Sequence, residues 1–223
     1  MTQLNLRLPL LAKVTIDAGI LEDIGRVAQQ YAYGDRVGKN RRVALALYLA
    51  GANLGDAEMA WRAADAYEYG EGIKKCPEES LRLLKLAAKL GSAGAATSLA
   101  ASYWQHAKTP QERAEGVKLY KRAARCGEPN AIHNLGVCYS TGVGLSKNFK
   151  KAYDHFQLAA ERGHLEAQFK VGWCLLHGEG VEKDIPQAKK SLRQAAKQGH
   201  PDAARLLKTL GSPADERAGA HHS

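Results

Sequence analysis

Glycines stand at Gly19, Gly55, Gly91, Gly127, Gly163 and Gly199, each 36 residues after the one before. A period of that length without a slip means that one supersecondary unit is used again and again along the chain. Four of these glycines follow an alanine pair at a fixed distance: Ala87-Ala88, Ala123-Ala124, Ala159-Ala160 and Ala195-Ala196, with Gly51-Ala52 as the first variant. A bulky residue precedes each pair, namely Tyr48, Leu84, Tyr120, Phe156 and Leu192. Between Pro129 and His164 the apolar residues Ala131, Leu135 and Tyr139, then Ala152, Phe156 and Ala159, keep a helical spacing, so each unit reads as two amphipathic helices. One such hairpin cannot hide its apolar face alone, so neighbours must stack.

The turns carry their own chemistry. Gly34, Gly70-Glu71-Gly72, Gly142-Val143-Gly144 and Gly178-Glu179-Gly180 stand where a first helix must stop, and glycine tolerates the left-handed backbone that ends helices. Asn40, Asn148 and Asp184 then fall where the second helix needs a side-chain acceptor, the N-cap role. In the third unit the glycines are replaced, but Thr109-Pro110-Gln111-Glu112 reads as a capping box with proline in the first turn. The expected organisation is a capping helix over 1–20, five repeats over 21–56, 57–92, 93–128, 129–164 and 165–200, a second capping helix over 201–212 and a disordered tail over 213–223.

At these residues the sequence resembles the Sel-one-like repeat family, a relative of the tetratricopeptide repeat. The carrying text is Ala131, Leu135, Gly136, Tyr139, Gly142 and Gly144, followed by Ala152, Phe156, Ala159, Ala160 and Gly163, and it recurs in the next unit. A plain tetratricopeptide array steps by about 34 residues. The pattern weakens at Ala63-Ala64 and at His106 and Lys108. The resemblance implies an all-α fold, a right-handed α/α superhelical solenoid of helix-turn-helix repeats, with first helices lining a concave groove. It also allows an immunity-type role, in which such a protein neutralises a toxin, although no residue points to it.

Composition narrows the function. The chain has 45% hydrophobic and 25% charged residues, ordinary values for a soluble protein. Its opening residues lack the long apolar core and cleavage site of a secretory signal, so a cytoplasmic location is expected. Cys76, Cys126, Cys138 and Cys174 form no metal-ligand spacing and read as reduced, buried thiols. The family's secreted, cysteine-rich members carry paired cysteines that this chain lacks. No zincin, phosphate-loop or nucleophile-elbow motif is present, so neither catalysis nor a cofactor is expected.

The expected function is therefore a scaffold or adaptor that holds a peptide or protein against its first helices. Removing the hairpin-core positions leaves a groove face with Trp61, Tyr69, His133, Asn134, Phe169 and Trp173 as candidate contacts. Trp173 stands out because its counterparts are Gln29, Asp65, Ala101 and Val137, and a large ring at an exposed place favours something that covers it. Trp104 reads as a plug for the altered third turn. The net charge of +9 comes largely from lysines and arginines on second helices. The alternative is therefore nucleic-acid or anionic-surface binding by that outer face.

Overall fold

The structure is a computed structural model, and it describes residues 18–210. Among the described residues there are eleven helices and no strand: α1 (Ala18–Tyr33), α2 (Arg41–Asn53), α3 (Ala57–Tyr69), α4 (Pro77–Lys89), α5 (Ala93–His106), α6 (Pro110–Arg125), α7 (Pro129–Thr141), α8 (Phe149–Glu161), α9 (Leu165–His177), α10 (Ile185–Lys197) and α11 (Pro201–Leu210). The chain divides into two compact units, Met1–Leu90 and Gly91–Ser223. The first pairs α1 with α2 and α3 with α4; the second pairs α5 with α6, α7 with α8 and α9 with α10, and α11 packs on α10.

Local backbone chemistry sets the helix ends. Gly70, Gly142 and Gly178 close α3, α7 and α9 in the left-handed conformation. The N–H groups of Asn40, Cys76, Asn148 and Asp184 then reach back to the carbonyls of Tyr31, Tyr67, Tyr139 and Leu175 at 2.8 to 3.0 Å, so four hairpins share one turn. Asn40, Asn148 and Asp184 accept from the N–H of Val43, Lys151 and Gln187 at 3.2, 2.9 and 2.8 Å. The third hairpin keeps its geometry by another route, with Thr109 and Glu112 forming a reciprocal capping box that satisfies two orphan donors.

Two glycines show why small residues recur. A Cβ on Gly136 would stand 2.7 Å from the Phe156 ring, so α7 and α8 touch almost backbone to ring. At Gly180, with φ at 75°, a Cβ would overlap the carbonyl of Phe149, the first residue of α8. Each second turn glycine seats on the start of the preceding second helix, since Gly144 meets Arg113 and Gly72 meets Arg41 in the same way.

Each unit has its own core. In the first, Met59, Leu45, Tyr48, Leu83 and Leu84 fill the space around Ala28, Ala63 and Ala87; the Ala63-Ala64 departure leaves both alanines fully buried. In the second, Ile132, Leu135, Phe156, Val171, Leu175 and Leu192 are buried, and Ala203 of α11 joins Phe169, Leu192 and Ala195. Burial of each large aliphatic side chain stabilises by about 1.5 to 3 kcal/mol.

Two expectations need restating. Gly19 lies inside α1, because its segment precedes a first helix and has no turn to make. The capping helix expected over 1–20 falls outside the described residues apart from Ala18, Gly19 and Ile20, which open α1; the tail over 213–223 lies outside them as well.

Candidate functional site

Repeat phase places Trp61, Thr97, His133 and Phe169 at one equivalent position of the first helices. The position is an interior one. Phe169 and His133 are 8% and 9% exposed, Thr97 is buried and Trp61 is half-buried. Phe169 stacks on His200 at 4.5 Å, and His133 stacks on His164 at 4.4 Å. Both stacking histidines are helix caps: His164 Nδ1 accepts from Ala167 N–H at 3.1 Å, and His200 Nδ1 from Ala203 N–H at 3.3 Å. That leaves the His200 proton on Nε2, which donates to Glu166 Oε2 at 2.7 Å. Burial alone would raise the Glu166 carboxyl, but this hydrogen bond and Lys170 beside it hold it below its ordinary range.

Two buried side-chain atoms lack a hydrogen-bond partner among the described residues, Trp61 Nε1 and His133 Nε2, and both belong to this position. In these two repeats the slot holds a flat ring and makes no use of its polar atom. His133 Nδ1 lies 3.2 Å from Asn134 Oδ1; that oxygen can only accept, so Nδ1 carries the proton and Nε2 is a bare buried acceptor. Burial, then the neighbouring His164, push the His133 pKa down to about 4, so the ring is neutral. His133 and Phe169 were expected to face a groove, but each is enclosed because the histidine that closes its own repeat, and caps the helix that follows, covers its ring.

The outward positions lie one and two helical turns further on. In α9 they are Trp173 and His177, in α3 Asp65 and Tyr69. Trp173 is 37% exposed, stacks on His177 at 4.0 Å and tilts against Phe169 at 6.2 Å. The result is a column of four rings, His200, Phe169, Trp173 and His177, whose outer half is open. Tyr69 is 68% exposed. Asp65 is half-buried, and desolvation above all raises its carboxyl to about 6.

Asn134 is half-buried, hydrogen bonds the buried Tyr120 phenol, and lines a cavity of about 200 Å³ with Trp104, Gln105, Ala101 and Val137. Trp104 therefore belongs to the open first-helix face of α5 and α7. Its counterpart Ser140 is polar and small, which was the available signal. Of the candidates, Trp61 and Tyr69 belong to the first unit and His133, Asn134, Phe169 and Trp173 to the second. A larger cavity, about 690 Å³, opens at the turns flanking α7, α9 and α11, between Asn130, Arg162, His164, Glu166, His200 and Asp202. Among the described residues no group of three or more His, Cys, Asp or Glu is placed to hold a metal.

The cations of second helices are partly neutralised along their own helices, as in Arg82–Glu79, Lys118–Glu115 and Lys150–Asp154 at 2.9, 2.9 and 3.5 Å. All four cysteines are free; Cys138 and Cys174 are buried, with burial pushing their thiols up to about 12 and about 11. Cys126 is exposed and Cys76 half-buried, which corrects the expectation of four buried thiols: both flank helix ends, where one side stays open. No helix among the described residues is long and apolar enough to cross a membrane.

Helix-pair repeats with this turn and this spacing define a class, the tetratricopeptide-like α/α repeats. A family model for the Sel1 repeat matches residues 25–56, 57–92, 95–128, 129–164 and 165–200, and the chain belongs to that family. Among solved structures, a Sel1 repeat protein from Oxalobacter formigenes is similar with a TM-score of 0.77 at 27% identity, over 84% of this chain and 74% of that one. A protective antigen of uropathogenic Escherichia coli strains has a TM-score of 0.77 at 23% identity, over 87% of this chain and 43% of its own length. An immunity protein from Pseudomonas aeruginosa shares the fold with a TM-score of 0.58 at 20% identity, over 86% and 70% of the two chains. Comparison with curated protein sequences finds no match.

Proposed function

We propose that this chain is a non-catalytic interaction scaffold, and that the first-helix face of its second unit holds a peptide segment or protein surface with Trp173 as the anchor. The observation that carries the reading is the half-open ring column. Trp173 is fixed from behind by Phe169 and from the side by His177, so little side-chain freedom is left to lose when a partner covers it. Exposed, pre-ordered aromatic rings are the residues that dominate protein interfaces. Asn134 and Trp104 add a polar and an apolar contact on α7 and α5.

Stacked helical repeats generally serve as binding surfaces of this kind. The immunity protein that shares the fold lends this chain the architecture alone. Free thiols, one of them exposed, suit a reducing compartment such as the cytoplasm. The test is capture of partners with the full chain and with Trp173→Ala. Affinity for a captured partner should fall by about thirtyfold, equivalent to about 2 kcal/mol, while the variant stays folded. Equal capture by both chains would remove Trp173 from the interface.

A further inference from the structure

We propose that the cavity at the C-terminal ends of α1 and α3 in the first unit is a seat for a lysine side chain of a partner. The inference rests on the reading that first helices form the binding face, and it names the chemistry that this unit would recognise. The cavity is about 220 Å³. Its floor is the buried Tyr48 and its walls are Tyr33 and Tyr69, which hold equivalent repeat positions and are 70% and 68% exposed. Asp65, one turn before Tyr69 on α3, lines it as well.

The charge balance decides what fits. Asp65 makes no hydrogen bond or ion pair among the described residues, although two arginines line the same cavity. Both are engaged elsewhere: Arg62 Nε donates to Glu58 Oε1 at 2.8 Å, and Arg41 lies 3.4 Å from Glu71. Glu58, Glu68 and Glu71 all act on Asp65 with the same sign as its own charge, and only Arg62 opposes them. Tyr48 of α2 and Tyr33 of α1 also line the site, and α4, which packs on α3, puts no titratable group into the lining. A half-buried carboxylate left without a partner is costly, and its raised pKa reflects that cost. An ammonium group on a flexible apolar stem relieves it, because the carboxylate pairs with the charge while the open tyrosine faces attract it. An anionic ligand meets the same carboxylates and finds the arginines occupied. Lys39, on the rim, makes no ion pair among the described residues and is the chain's own rival for the seat.

The probe is the blocked peptide acetyl-Gly-Lys-Gly-amide, titrated into the full chain while the NMR resonances of Asp65, Tyr33 and Tyr69 are followed. Saturable shifts at these residues are expected at pH 7.5, with a dissociation constant on the order of millimolar. Binding should weaken about tenfold at pH 5, where a carboxyl titrating near 6 is mostly protonated. Asp65→Asn should bind at least about fivefold more weakly, and Lys39→Gln should bind as tightly as the natural chain or more so. A norleucine peptide that shifts the same resonances equally, an Asp65→Asn chain that binds unchanged, or an arginine peptide that binds more tightly than the lysine one would each overturn the assignment. The outcomes stay separable from the Trp173 test, because Trp173→Ala alters no residue of this cavity. A failed lysine titration leaves that interface standing, and a failed Trp173 test leaves a positive titration intact.

Discussion

Helices α3 and α9 occupy the same place in their repeats and carry Trp61, Asp65 and Tyr69 in one case, Phe169, Trp173 and His177 in the other. The first member of each triplet is a ring turned inward, and in α3 its indole nitrogen goes unused. The second and third members share nothing: an unpaired carboxylate and an open phenol on α3, a stacked indole and imidazole on α9. The inner position therefore serves packing, and under the proposed function recognition belongs to the positions one and two turns further out. Under that proposal a scaffold of this design would change partners by changing two residues per hairpin while the inner ring stays in place.

The comparison breaks most visibly if the inner ring is removed. Phe169→Ala is expected to lower unfolding stability by about 3 kcal/mol, as a buried aromatic does when truncated, and a loss below about 1 kcal/mol by chemical denaturation would place Phe169 on the surface after all. His133→Phe copies the neighbouring repeat. His133 is depressed in the folded protein and ordinary when unfolded, so the natural chain loses stability as pH falls from about 6.5 toward 4. The variant should be more stable by about 2 kcal/mol near pH 4, by little at pH 8, and melting temperatures across that range would show the slope flattened. Asp65→Asn has the opposite sign. A carboxyl raised to about 6 detracts from stability above that pH and not below about 4, so the variant should gain about 1 kcal/mol at pH 8, after allowance for solvent screening, and nothing at pH 4. Trp173→Ala should change stability by less than about 1 kcal/mol, the smallest effect, which separates its role from that of Phe169 on the same helix.

The helices and their turns were legible because their causes are local. Asn148 caps α8 and Gly142 ends α7 through contacts within a few residues, so spacing alone reveals them. Burial of His133 and Phe169 was not legible. It depends on His164 and His200, which lie 31 residues downstream and cover those rings only once the helices they cap, α9 and α11, have packed. Their own repetition at helix starts was the signal, and its meaning needed geometry. The outward place of Trp173 and Tyr69 followed from repeat phase. That Asp65 lacks a partner did not, because Arg62 could have turned to it as readily as to Glu58.

The contact of Gly180 with the Phe149 carbonyl, repeated by Gly144 and Gly72, has a consequence for how such chains change length. At these three seams a turn glycine lies against the main chain of the preceding hairpin, so each of these hairpins offers its successor a socket that depends little on side-chain identity. Whole 36-residue cassettes are then interchangeable in gene duplication or deletion, whereas a single inserted residue within one would leave the socket empty.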